Sequence, residues 1–279
     1  MTIRKLPTIN AFKIDGVEFD APSDALDRWN AAVRSVSAAG GAGNIEMYDI
    51  IGEDPWTGGG ITAASVAESL RSASDVTVSI NSPGGDFFEG IAIYNLLRAH
   101  PHKVTVNVVG LAASAASVIA MAGDEIRVAR AGFIMIHNAW SIAIGNRHDF
   151  MSVSKTLEKF DSQMAELYAA RAEIDPSVAA QFMDDETWLS GESAIDQGFA
   201  DSFLAADDVV TDPDADDGGT RAAIRSVDIA MAKQGTPRSK RRSVLNKIRG
   251  TQDAAPPAMP CAGDLAAVLA DLKQTISTR

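Results

Sequence analysis

Cysteine is almost missing. Cys261 stands alone among 279 residues, so no disulfide can join two residues of this sequence, and a reducing compartment is the natural setting. Long apolar runs are missing too. Val104 to Ala122 comes nearest to the roughly 18 residues a membrane span needs, and Asn107, Gly110 and several serines interrupt it. Met1 to Lys13 contains no hydrophobic signal core, which points to a cytoplasmic protein with no membrane partner. Positive charge is the minority sign. Lys and Arg number 25 against 37 Asp and Glu, a net charge of −12, which argues against nucleic acid as the main partner because phosphate neutralisation needs basic surface. No Gly-x-x-x-x-Gly-Lys-Ser/Thr stretch occurs, so the chain has no P-loop, and nothing else in it calls for a cofactor.

What is present is an alternation of strand and helix patterns. Residues 1–44 are weakly patterned and are read as an N-terminal segment. Ile45–Ile51 is a short apolar strand, and Ile61–Ala73 carries Ile61, Val66 and Leu70 at helical spacing. Val76–Ile80 alternates as a strand and leads through a turn to the helical pattern Phe87–Arg98. Val104–Val109 is another strand, Ala112–Met121 a helix of small residues, and Ile126–Val128 and Phe133–Ile136 two further strands. Phe150, Val153, Leu157, Phe160, Met164, Leu167 and Tyr168 step by three and four, which predicts a long helix over Phe150–Arg171. A shorter helix is predicted over Ser177–Phe182 and a third starting at Ser190. Strands alternating with helices predict an α/β fold of βαβ units around a largely parallel sheet.

Composition changes near Leu204. The six aspartates from Asp207 to Asp217, followed by Gly218-Gly219, read as a disordered linker. Arg238 to Arg249 is basic, Pro256, Pro257 and Pro260 form a break, and Leu265, Val268, Leu269, Leu272 and Ile276 make one amphipathic helical stripe. Three regions follow: 1–44, a body over 45–204, and a linker and tail over 205–279.

Four motifs carry chemistry. Ser82-Pro83-Gly84-Gly85 lies between a strand and a helix, where a glycine pair lets backbone N–H groups face an open space and hold an oxyanion. By itself it is also ordinary turn chemistry. Gly110-Leu-Ala-Ala-Ser114-Ala-Ala-Ser117 again leads from strand to helix. Its small residues leave room for a substrate chain beside Ser114, and the N–H of Ala115 points the same way, although a close-packed helix with capping serines has the same spelling. Ser117 is the rival nucleophile. His137 ends a strand, where α/β folds place chemistry. His100 and His102 flank Pro101 without a Cys or third His partner, so no metal site is expected, and His148 reads as solvated. Asp184-Asp185-Glu186 offers three acids, any of which could orient His137 or serve as an exposed acidic turn.

Taken together and in order, Ile80-Asn-Ser-Pro-Gly-Gly85, Gly110-Leu-Ala-Ala-Ser114-Ala, Met135-Ile-His137-Asn and Trp188-Leu-Ser190 followed by Ala194 to Asp201 resemble the ClpP peptidases. The resemblance runs from about Ile45 to Asp201. The spelling of Asn81 to Asn95, of Gly110 to Asp124 (with the Gly123-Asp-Glu125 turn) and of Glu186-Thr-Trp188 is closer to the ClpP-like head maturation proteases of tailed phages. The resemblance implies Ser114 as nucleophile, His137 as general base, and the N–H groups of Gly84 or Gly85 and of Ala115 as oxyanion hole. It implies Glu186 as third member, four residues before Ser190, where the peptidase proper has Asp; Asp185 is the reserve. It also implies a crotonase-like spiral with Phe150–Arg171 projecting as a handle, a homo-oligomeric ring, and a protein substrate, here a capsid or scaffold protein in the host cytoplasm. Any ATP dependence needs a partner AAA+ unfoldase. The competing readings are the proteolytic subunit of an ATP-dependent Clp-type protease, a non-catalytic scaffold with a relic site, and an acyl-CoA enzyme of the related fold. The last is disfavoured by the Ser–His pair.

Overall fold

The computed structural model describes residues 6–7, 17–19, 21–36, 43–53, 60–71, 73–143 and 145–211, with scattered positions between 227 and 245. Three short elements come first: β1 (Val17–Glu18), α1 (Ser23–Arg28) and β2 (Val33–Ser35). The alternation legible in the sequence follows as β3 (Asn44–Met47), α2 (Ala63–Leu70), β4 (Val76–Ser82), α3 (Phe87–Ala99), β5 (Val104–Ala113), α4 (Ala115–Ala120), β6 (Glu125–Val128) and β7 (Phe133–Ile136). Then come β8 (Ile142–Ala143), α5 (Arg147–Ala172), α6 (Pro176–Asp184), β9 (Thr187–Ser190), α7 (Gly191–Asp196), β10 (Ser202–Phe203) and β11 (Val209–Thr211).

β3, β4, β5, β6 and β10 lie side by side, all parallel. β5 serves two neighbours along one edge. Thr105–Val108 pair with β6, Leu111–Ala113 pair with β7, and β9 closes antiparallel on β7. A bulge makes this possible. The β4–β5 register runs Ile80↔Val108 and then Ser82↔Ala112, so β5 holds Val109, Gly110 and Leu111 against Asn81 alone. The Asn81 side chain fills the gap. Its Oδ1 accepts from the Leu111 N–H at 3.1 Å, and its Nδ2 donates to the carbonyls of Asn30 and Val33 at 2.7 and 3.1 Å. A Cβ at Gly110 would stand 2.6 Å from that Oδ1, so only glycine fits. The bulge turns the second half of β5 away from β6 and aims its end, at Ser114, toward β7.

Helices cover the sheet. α3 starts at Asp86, whose carboxylate accepts from the N–H groups of Phe88 and Glu89, and buries Ile91, Ile93, Tyr94 and Leu97. The core gathers these with Val78, Ile80, Val106, Val108 and Ile126 of the sheet and with Ile119, Leu167 and Tyr168. α5 is buried only from Phe160 onward; Phe150 and Met151 in its first half are exposed, so that half stands off the body as the handle expected from the sequence.

The N-terminal segment, weakly patterned in sequence, packs on the body where it is described. Ala25, Leu26 and Trp29 pack on Leu111, Ala113 and Met135, and the Trp29 indole N–H donates to the Asn81 carbonyl at 2.9 Å. Residues 205–211, expected as the start of the linker, hold a paired strand. Leu204 is buried, and β11 pairs antiparallel with β2, satisfying an edge some 170 residues upstream that no local pattern reveals. The amphipathic stripe Leu265–Ile276 lies outside the described residues. Among those described, no helix is long and apolar enough to cross a membrane.

Candidate active site

Ser114 sits between the end of β5 and the start of α4 with φ 54° and ψ −124°. A non-glycine residue there is strained, and strain of this kind gathers at functional turns. Tertiary bonds hold it. The Ser114 N–H donates to the Met135 carbonyl at 3.0 Å, and its own carbonyl accepts from the N–H groups of Ser117 and Val118. The predicted helix over Ala112–Met121 therefore starts later. Ala112 and Ala113 belong to β5 because β7 pairs with them, and Ser114 is the hinge. The turn is a nucleophile elbow in shape without the Gly-x-Ser-x-Gly spelling. Buried Ala112, Ala113, Ala115 and Ala116 supply the small side chains it needs, and Gly90 leaves space for the Ala115 methyl.

His137 follows β7 directly, and its Nε2 lies 2.8 Å from Ser114 Oγ. The ring is half-buried. Desolvation pushes its pKa down to about 4, opposed weakly by the charge of Asp24. At neutral pH it is an uncharged imidazole. With the proton on Nδ1, Nε2 is free to accept the serine hydroxyl proton.

Gly84 and Gly85 have φ of 94° and 151°, and Gly84 lies so close that a Cβ there would stand 2.7 Å from Ser114 Cβ. The Gly84 N–H is engaged with Ser82 Oγ at 3.2 Å, and that hydroxyl donates to the Asp49 carbonyl at 2.6 Å. Gly85 instead lines the cleft with Ser114, Ala115 and His137. Its N–H finds no acceptor among the described residues, and the Ala115 N–H, first of its helix, has no intrahelical acceptor. Of the two glycines, Gly85 is thus the one whose N–H is unengaged beside the cleft among the described residues. Phe19, Phe87, Val118, Met164 and Tyr168 complete an apolar cleft whose free volume, about 20 Å³, admits a single water. Phe19 packs tilted against the Phe87 ring and edge-on to the Phe88 ring, so a residue from before α1 walls the site.

Ser117 is not poised for chemistry. It is fully buried, and its hydroxyl bonds the Ser114 carbonyl at 2.6 Å and the Tyr168 hydroxyl at 2.8 Å. His100 Nε2 bonds the Ser74 carbonyl, and His148 is exposed beside Arg147. The acids divide. The β7–β9 ladder pairs Ile136 with Thr187, so one further step would set Glu186 opposite His137. Glu186 nonetheless sits exposed in a left-handed turn at φ 47°, and no hydrogen bond joins it or Asp185 to the ring among the described residues. Asp184 accepts from Asn138 Nδ2 at 2.7 Å, and Asp161 accepts from the Ala139 N–H at 2.6 Å, so both hold the chain after His137 rather than the imidazole. Sequence reasoning missed Phe19, which belongs to no motif and which only folding brings to the cleft.

The Clp protease family model matches residues 60–207, a stretch that holds Gly85, Ser114, His137 and Glu186 but not α1. The ATP-dependent Clp protease proteolytic subunit 3 of Rhodococcus jostii is 30% identical over 135 residues, 47% of this chain and 66% of that protein. The proteolytic subunit of Deinococcus radiodurans is 29% identical over 139 residues, 49% and 68% of the two chains, and that of Pleurastrum terricola 32% over 132 residues, 46% and 66%. The chain spans just under two thirds of the length of the Rhodococcus relative. A ClpP1 variant from Listeria monocytogenes superposes with a TM-score of 0.49 at 20% identity, covering 62% of this chain and 94% of that one.

Proposed function

The chain belongs to the Clp protease family, and on that premise we propose that it is a serine endopeptidase in which Ser114 attacks and His137 moves the proton. One observation carries the reading: a hydroxyl at the apex of a strained strand–helix turn, 2.8 Å from a neutral imidazole nitrogen, beside the N–H groups of Gly85 and Ala115. In the first step Oγ bonds the peptide carbonyl carbon while its proton passes to His137 Nε2, and the two N–H groups receive the oxyanion. Collapse breaks the C–N bond, and His137 returns the proton to the departing amine. Water, deprotonated by His137, then releases the acyl group. Ser114→Ala removes the hydroxyl that would become acylated. A fluorophosphonate should label the parent protein at Ser114 and leave this variant unlabelled while its fold persists. Equal labelling of both would end the reading, and labelling of the parent rules out an inert scaffold.

The finer reading is processing of capsid or scaffold proteins during phage head maturation, by a homo-oligomeric ring in the host cytoplasm. The spelling of Asn81 to Asn95, Gly110 to Asp124 and Glu186-Thr-Trp188 supports it. The names of the curated relatives favour a second reading, the proteolytic subunit of an ATP-dependent Clp-type protease working with an AAA+ unfoldase. Mass spectrometry after co-expression with the neighbouring capsid protein, parent against Ser114→Ala, separates the two. Serine-dependent truncation of the capsid protein without any ATPase supports the first, and hydrolysis only with an unfoldase supports the second. A stable monomer by light scattering at micromolar concentration would refute the ring.

A further inference from the structure

We propose that the N-terminal segment is an autoinhibitory strap: β1 lies on the edge of β8 as a bound peptide would, and Phe19 fills the apolar pocket beside Ser114; this rests on the endopeptidase reading above. β8 begins a few residues after His137, and Asn138, Ala139 and Trp140 between them line the cleft. Among the described residues β1 is the only partner strand of β8. Without it β8 would present an open edge next to the nucleophile, and such an edge takes up an extended chain through its backbone groups. The register Val17↔Ala143 and Glu18↔Ile142 is antiparallel, so the next residue, Phe19, is carried back along the chain toward His137. The matched family stretch begins at residue 60, so the strap belongs to a part of the chain outside it.

Phe19 is 3% exposed. Its ring lies 5.5 and 5.2 Å from those of Phe87 and Phe88, centroid to centroid, and it shares the cleft with Ser114, Ala115 and His137. The free volume left there, about 20 Å³, admits one water and no side chain. A substrate side chain therefore enters only when Phe19 leaves, and the space its ring vacates suits a large apolar residue. The chain keeps the strap at hand. Upstream, the Tyr94 hydroxyl donates to the Pro7 carbonyl at 2.7 Å; downstream, Ala21, Ala25 and Leu26 pack on Ala113 and Met135. The β1–β8 ladder itself spans two residues on each strand, too short to be stable alone, so a competing peptide can displace it. A cleft that is open only part of the time binds substrate more weakly by that fraction. Burial of one Phe side chain biases such an equilibrium by roughly ten- to a hundredfold.

The test compares three full-length proteins: the parent, Phe19→Ala, and the double variant Val17→Pro/Glu18→Pro, which keeps Phe19 but removes the N–H donors of β1. Each is assayed for kcat/KM on two short fluorogenic peptides, one with Phe and one with Ala before the reporter group. Phe19→Ala should raise kcat/KM for the Phe peptide at least about tenfold and gain less on the Ala peptide, because only the former refills the vacated pocket. The proline variant should gain on both. A synthetic peptide of residues 14–22 should inhibit the Phe19→Ala protein competitively, and the same peptide carrying Phe19→Ala should do so at least about tenfold more weakly. The proposal is overturned if neither variant exceeds the parent, as a merely structural wall would require. It is also overturned if Phe19→Ala gains equally on both substrates, or if the two synthetic peptides inhibit alike. If none of the three proteins hydrolyses either peptide, the endopeptidase reading fails instead.

Discussion

At the residue scale the site depends on what surrounds His137 rather than on the imidazole alone. Because its folded pKa lies near 4 and that of a free imidazole near 6.5, two consequences follow. Activity needs the neutral ring, so the acid limb of kcat/KM should fall near pH 4 and not near 6.5, as a peptide-hydrolysis profile would show. Stability is likewise lost on the acid side, over a higher pH window. Between pH 6.5 and 4 the unfolded chain takes up the proton before the folded one, so stability is complete above 6.5 and is lost as pH falls toward 4. The loss is up to roughly 3 kcal/mol, and urea midpoints of parent and His137→Gln should converge over that window. Gly84 is equally constrained. Its φ is 94°, and a methyl there would stand 2.6 Å from the Ala113 carbonyl as well as against Ser114. Gly84→Ala should push the nucleophile out of line, costing about 1–3 kcal/mol of stability and most of the labelling at Ser114.

At the scale of elements the long strand β5 does the organising. Its first half belongs to the parallel sheet with β6, its second half to β7, and the Asn81 side chain plugs the bulge between them. The same side chain anchors the turn between α1 and β2. Asn81→Ala removes three hydrogen bonds from a residue 1% exposed, leaving the Leu111 N–H without its acceptor. A loss of about 2–4 kcal/mol is expected by urea denaturation, with faster proteolytic release of the N-terminal segment as the local sign. α3, β6 and α5 were legible within a few residues because their burial repeats at the helical or strand period, and β4 and β7, buried almost throughout, because they are short β-branched or apolar runs. β9 was not foreseen, since Thr187–Ser190 is too short to show alternation and owes its extended form to pairing with β7. The α4 start was misread for the same kind of reason: alanine fits strand and helix alike, and only β7 decides.

For the whole molecule, the two chain ends of the body meet. β2 and β11 pair, and Leu204 packs with Tyr48 and Val109 against Val33 and Val209. Truncation after residue 204 should lower the melting temperature more than truncation after residue 211, because only the former strips β2 of its partner strand. Equal midpoints would show that the pairing contributes nothing.

The sequence alone determined the α/β alternation and the long helix, and it singled out Ser114, His137 and the glycine turn as candidates, because each is written in local periodicity or in a contiguous motif. Which glycine N–H is free, how the serine backbone is bent, and that Phe19 reaches the cleft while Glu186 stays at the surface were decided by tertiary structure. Those outcomes depend on a bulge, a strand register and the docking of a short helix, interactions between residues far apart in the chain whose energies no local pattern encodes.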